Sequence, residues 1–188
     1  MLFRSFVGKL EPKKRILDLV AAIAAAANRP RHFHLLIVGS GPLMEEAKTL
    51  ALRSPVPMTF AGFLNQTELP QAYAAANCLV LPSDYGETWG LVVNEAMACG
   101  LPAVVSDRVG CAADLVESGV TGEIFPFGNV DALAGVLQSL AVSPERLREM
   151  GTRARARVAD YSAEKAVAGT LDAISHVTKR EHPPMRMR

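Results

Sequence analysis

The chain has 188 residues, 49% hydrophobic and 21% charged, enough for one sizeable core and too short for two full α/β domains. Its formal net charge of +1 leaves no global field to recruit nucleic acid or a membrane surface. Cys78, Cys99 and Cys111 have neither paired spacing nor a neighbouring His cluster, which favours reduced thiols over a disulfide or metal role.

The opening residues lack a long apolar segment with a small-residue cleavage site, so no signal peptide is read. No apolar run reaches the ~18 residues of a membrane span. The cytoplasm is the expected compartment.

Short apolar runs alternate with helical patterns, the signature of a parallel sheet covered by helices. Residues 3–7 read as a first strand, followed by a helix over 13–28 in which Ile16, Leu19, Val20, Ile23 and Ala27 recur at helical spacing. A second strand is expected at 34–38, ending in Gly39-Ser40-Gly41-Pro42, and a helix at 43–54. A third strand at 58–61 and a helix at 68–76 lead into Cys78-Leu79-Val80-Leu81, the strongest buried-strand signal. Beyond a polar stretch at 84–89 comes a helix over 90–99, which Gly100 caps and Pro102 prevents from continuing. A strand at 103–106, a short helix at 112–117 and a short strand or turn at 121–126 complete the alternation. Helices are expected at 130–140, 144–159 and 163–178, and residues 179–188 read as a disordered basic tail.

In an open parallel sheet, ligands sit beyond the carboxyl ends of the strands, so the loops after each strand hold the candidate chemistry. The first is Val7-Gly8-Lys9-Leu10-Glu11-Pro12-Lys13-Lys14. A lysine placed in the first helical turn works against the helix dipole, and a bound anion would account for it; a solvated basic turn is the alternative. The second, Gly39-Ser40-Gly41-Pro42, resembles the start of a dinucleotide fingerprint. Met44 stands where the third glycine belongs, and no acidic residue ends the next strand. A tight turn with close packing is the better reading than a nicotinamide site.

The third loop, residues 82–100, is the most informative. Glu87 precedes a helix and Glu95 lies one to two turns into it. Between them Gly90, lacking a side chain, would let a ligand approach the free N–H groups of Leu91 and Val92. Glu95 stands among Val92, Val93, Ala96 and Met97, where a carboxylate would be costly to bury without a partner. A ribose diol offers two hydroxyl donors to two carboxylate oxygens. Glu87 is expected to be free for the hydroxyls of a sugar. Two surface glutamates on an ordinary helix start are the bland alternative.

Lys9 and Lys14, the turn at Gly39–Gly41, Phe60-Ala61-Gly62-Phe63 and the span 82–100 together resemble the C-terminal domain of retaining GT-B glycosyltransferases of the family-4 type. Ser106-Asp107-Arg108-Val109-Gly110 and Gly119-Val120-Thr121-Gly122 extend the resemblance over roughly residues 3–175. Glu87 and Glu95, with seven residues between them and Gly90-Leu91 inside, match that family's glutamate motif.

The resemblance implies an α/β, Rossmann-like three-layer donor domain over 1–178, the C-terminal half of a GT-B fold. It implies that Lys9 and Lys14 contact the diphosphate of a nucleotide sugar, UDP- or GDP-linked, and that Glu95 takes the ribose. Glu87 would contact the transferred sugar, and Trp89, Gly90, Leu91 and Val92 would supply backbone donors. Gly39, Gly41, Phe63 and Leu64 would line the nucleotide pocket.

Lys9 replaces a commoner arginine, which keeps the charge but loses a bidentate grip. The chain has no Asp-x-Asp triplet of the kind that holds a metal in other glycosyltransferases, so fixed cations are expected to stabilise the leaving group instead, with no metal and no cofactor. The family's acceptor-binding N-terminal domain is absent from this sequence and would act in cis or trans. The alternative is a non-catalytic nucleotide-sugar-binding module.

His32, His34, His176 and His182 read as structural or solvated. Arg146, Arg148, Arg153, Arg155 and Arg157 form columns seven residues apart, read as a solvated helix face, with docking to an acceptor domain or an anionic leaflet as the alternative.

Overall fold

A computed structural model describes residues 2–26 and 33–181. Six parallel strands, β1 (Leu2–Val7), β2 (Phe33–Val38), β3 (Met58–Gly62), β4 (Cys78–Leu81), β5 (Ala103–Ser106) and β6 (Gly122–Phe125), lie in the order β3-β2-β1-β4-β5-β6. The order reverses between β1 and β4, which opens a crevice at their carboxyl ends.

The period-two geometry of the strands divides the core into two layers. Cys78 and Val80 of β4 face one way, with Phe6, Leu35, Ile37, Val104 and Phe125, under α1 (Ile16–Ala26), α2 (Met44–Ala51) and α6 (Val130–Leu140). Leu79 and Leu81 face the other way, with Val7, Val38 and Val105, under α3 (Leu69–Ala74), α4 (Leu91–Ala98) and α5 (Ala112–Leu115). The long α7 (Pro144–Val158) joins the layers: Leu147 and Met150 pack in the first, Ala154 and Val158 in the second. The expected α/β, Rossmann-like three-layer architecture is thus what the chain adopts.

Several boundaries shift for identifiable reasons. The expected first helix begins late: Pro12–Lys14 form a separate 3-10 turn, and Arg15 adopts a left-handed conformation with φ 52°. Arg15 donates to Asp18 at 2.8 Å, so this break has its own anchor. Lys14 therefore sits ahead of α1, not in its first turn, and the argument from the dipole of α1 does not apply to it.

The last helix, α8 (Ala163–Glu181), runs three residues past the expected end at 178, into the stretch read as a disordered tail. The remainder of that tail, residues 182–188, lies outside the described residues, as do His32 and His182. No described helix is long and apolar enough to cross a membrane.

Three of the late arginines have local partners. Arg146 pairs with Glu123, Arg148 with Glu145, and Arg157 donates twice to the Asp114 carbonyl. These pairings fit the solvated-face reading. On α8, Val167, Leu171, Ile174 and Val177 form a stripe in which each residue is more than half exposed.

Arg4 is the anomaly of the core. It stands in the middle of β1, opposite Leu35 and Cys78, and is completely buried. Its three guanidinium nitrogens find no hydrogen-bond acceptor among the described residues; the cation lies 5.4 Å from the centre of the Phe33 ring. A stacked ring recovers part of the cost of burying a charge but leaves every N–H unsatisfied. Replacing Arg4 with leucine is expected to stabilise the fold by about 1–4 kcal/mol. Thermal unfolding of Arg4→Leu beside the natural chain checks this.

Candidate functional site

The site grows from the loop after β1. Gly8 donates its N–H to Val38 at 3.0 Å and Leu10 donates to Ser40 at 2.9 Å, while Leu43 returns a bond to Leu10 at 3.0 Å. The loops after β1 and β2 are thereby stitched together. A Cβ at Gly39 would stand 1.9 Å from the Gly8 carbonyl oxygen, so only glycine permits this approach. The glycines after β2 serve backbone packing, as the turn reading expected, and they fix Lys9 at the mouth of a cleft of about 420 Å³. Val7, Ser40, Gly41, Phe63, Leu64 and Leu69 line much of that cleft. Phe63 is largely exposed, an apolar ring with no core to fill.

From the other side of the switch point comes the loop after β4. Ser106 donates from its hydroxyl to the Ser83 carbonyl, and Asp84 donates its N–H to Lys13 at 2.9 Å. Gly110 donates to Glu87 at 3.0 Å and Cys111 to Trp89 at 2.9 Å. A Cβ at Gly110 would lie 1.9 Å from the Thr88 carbonyl oxygen. The segment Ser106–Cys111 thus acts as a backbone cradle for residues 84–89. The Trp89 indole N–H donates to Asn94 at 2.8 Å, tying the loop to α4, and its ring packs near Tyr161.

These two loops bring Lys14 and Glu87 into direct contact as an ion pair, with both side chains more than four-fifths buried. Ser83 donates to the same Glu87 oxygen at 3.4 Å. Glu87 is therefore not free, contrary to the sequence reading: its charge is already matched by the cation expected to hold a diphosphate. Lys9 remains outside this pair, two-thirds exposed, with Glu11 3.7 Å away; Glu11 also meets Lys13 at 3.4 Å.

Gly90 caps α4 in a left-handed conformation, φ 99° and ψ 58°. Its absent side chain faces Leu81 and Val109, both 3.2 Å from a would-be Cβ. Backbone conformation and core packing both demand glycine here. The N–H of Val93 bonds to the Gly90 carbonyl, whereas those of Leu91 and Val92 precede the first helical bond and open the helix. Leu91 is exposed and Val92 half-buried against the second core layer.

Glu95 departs from expectation in the opposite sense. It is exposed, so the penalty foreseen for a buried carboxylate does not arise. It accepts a 2.7 Å hydrogen bond from the Tyr73 hydroxyl, a partner that sequence spacing did not disclose. Burial, reinforced by that bond to Glu95, pushes the Tyr73 phenol well above its ordinary range. Glu95 and Tyr73 line a hollow of about 280 Å³, and Leu69 belongs both to it and to the cleft of Lys9. Lys14 and Glu87 thus meet between the loops that follow β1 and β4, and Leu69 joins the Lys9 cleft to the Glu95 hollow. No group of three or more His, Cys, Asp or Glu side chains with metal-binding geometry occurs among the described residues.

Lysines from the loop after β1, the Glu87 carboxylate from the loop after β4 and the opening N–H groups of α4 are brought together at the switch point. The model of glycosyl transferases group 1 matches residues 3–157, and the chain belongs to that family. It is 32% identical over 179 residues to a D-inositol 3-phosphate glycosyltransferase of Rhodococcus erythropolis, covering 89% of this chain and 40% of that protein. Sucrose-phosphate synthase from Thermosynechococcus elongatus superimposes with a TM-score of 0.77 at 31% identity, covering 96% of this chain and 46% of the other. A mutant S. aureus TarM, solved in complex with Fondaparinux, alpha-GlcNAc-glycerol and UDP, shares the fold with a TM-score of 0.80 at 20% identity, covering 90% and 34%. The chain spans less than half the length of these relatives.

The cradle supplies a measurable signature. Burial pushes the Cys111 thiol up from an ordinary 9.0 to about 12. Well below pH 9 the thiol is protonated whether the chain is folded or not. As pH climbs from 9 toward 12 the unfolded thiol ionises and the folded one does not, which favours unfolding. Stability is therefore expected to fall above pH 9. Cys111→Ala should remove part of that fall, with buried Cys78, also shifted upward, supplying another part. Urea unfolding between pH 8 and 10 tests this.

Proposed function

We propose that this chain is the donor-binding half of a retaining GT-B glycosyltransferase of the family-4 type, acting on a nucleotide-diphosphate sugar. The observation that carries the reading is the meeting of Lys14 and Glu87 across the switch point, beside the Lys9 cleft and the opening N–H groups of α4. A diphosphate fits there by charge, and the apolar cleft walls of Phe63 and Leu64 suit a base.

In this reading the negative charge that grows on the departing nucleoside diphosphate is stabilised by Lys9, Lys14 and the N–H groups of Leu91 and Val92. Stabilisation that is stronger in the transition state than in the ground state is what accelerates transfer. No metal or cofactor is assigned a part. Lys14 is poised but engaged: an arriving diphosphate either joins the ion pair or draws the ammonium from Glu87, whose carboxylate then turns to sugar hydroxyls. The Glu95 carboxylate, exposed and held by one neutral donor, takes the ribose diol.

The acceptor site is assigned to a second domain, supplied in cis or trans. The length of the relatives and the bare stripe of Val167, Leu171, Ile174 and Val177 support that assignment. The purified 188-residue chain is accordingly expected to transfer no sugar to any acceptor, and turnover by it alone would contradict the proposal.

Calorimetry with UDP, GDP, ADP and NAD is the direct test. A nucleoside diphosphate is expected to bind and NAD is not. Lys14→Met should weaken the diphosphate about ten- to a hundredfold, the worth of a charged hydrogen bond, while leaving the matching nucleoside unaffected. Equal losses for both ligands would remove Lys14 from the diphosphate site.

A further inference from the structure

We infer that Tyr73 is a positioning residue that presets the Glu95 carboxylate for a vicinal diol and so sets the preference of the site for ribonucleotides over deoxyribonucleotides. The inference rests on the reading of Glu95 as the ribose ligand. It goes beyond that reading by naming what gives an exposed carboxylate a fixed geometry.

A glutamate on a helix surface has three rotatable side-chain bonds, and one in solvent sweeps through its rotamers. Holding one such side chain in a single pose costs about 0.5–1.5 kcal/mol, which a ligand must supply unless the protein already has. Here the protein supplies it. Tyr73 is 2% exposed, packed in the second core layer beside Val93 and Met97, so both of its torsions are fixed by its surroundings. Its hydroxyl reaches Glu95 Oε2 at 2.7 Å from α3, a different helix 22 residues back in the chain.

The chemistry of the donor matters as much as its rigidity. A phenol is neutral and gives one hydrogen bond, so Oε1 and a second lone pair on Oε2 stay available with the full negative charge. An ammonium in the same place, as at Glu87, would quench that charge. The hollow beside the pair is lined by Gln66, Leu69, Pro70 and Cys99, and it adjoins the Lys9 cleft through Leu69. On the ribose reading, a nucleotide whose base lies against Phe63 and whose diphosphate lies near Lys9 reaches Glu95 with its ribose at Leu69, the residue the two hollows share.

The test is calorimetry on the full chain with UDP, GDP and ADP, each beside its 2′-deoxy counterpart, using Tyr73→Phe, Glu95→Gln and the double variant. Tyr73→Phe removes one oxygen from a buried ring, and its melting temperature reports whether the fold survives. The bound ribonucleotide is expected to weaken about two- to twelvefold, the affinity equivalent of freezing one side chain. The deoxynucleotide should change little, and the double variant should bind no worse than Glu95→Gln. Equal weakening of both sugars by Tyr73→Phe, or no weakening while Glu95→Gln does weaken, overturns the positioning role and leaves the ribose reading standing. A natural chain that binds none of the three, or a Glu95→Gln chain that binds as well as the natural one, overturns both.

Discussion

The reversal of strand order between β1 and β4 is the constraint on which the rest of the molecule depends. Neighbouring parallel strands whose crossovers leave in opposite directions cannot have their exit loops packed against each other by the same helix. The gap that results has to be closed by side chains or by a ligand. In this chain Lys14 and Glu87 close it, one from each loop, with their charges matched where solvent is scarce. Removing either partner would leave the other uncompensated, which is far more costly than the pair itself is worth.

Around that pair the backbone is tied with unusual economy of side chains. The β1 loop is held by the β2 loop through N–H and carbonyl groups at Gly8, Leu10, Ser40 and Leu43. The β4 loop is held by residues 106–111 through the N–H groups of Gly110 and Cys111 and the Ser106 hydroxyl. Glycine at 39 and 110 is what lets the strands of the loop approach to hydrogen-bonding distance. Around this frame the side chains of Lys9, Phe63, Leu91 and Glu95 stand exposed, Lys9 beside Glu11 and Glu95 held by Tyr73. Binding surfaces built on fixed backbone lose little entropy when they are occupied.

The two glutamates of the motif come out as chemically different groups. Glu87 is largely buried, paired with a cation and additionally touched by Ser83. Glu95 is exposed and held by a neutral phenol. The same residue type thus presents a neutralised contact at one position and a full charge at the other. The difference lies in the partner, not in the glutamate.

Much of this was legible in the residues themselves. The alternation of apolar runs with helical periodicity specified the three-layer class, because each burial pattern is a property of local repeat: two for strands, 3.6 for helices. Cys78–Leu81 and Ala103–Ser106 were readable to the residue, since both faces of an interior parallel strand are covered. The resemblance of the spaced glutamates, lysines and glycines led to the glycosyl transferases group 1 family, which the family model over residues 3–157 bears out. What the sequence alone could not decide was which groups touch. The break at Arg15, the engagement of Glu87, the side to which Gly90 presents its missing Cβ and the Tyr73 hydroxyl on Glu95 all depend on contacts between segments far apart in the chain. Those distances are set by packing of whole layers, and no local periodicity encodes them.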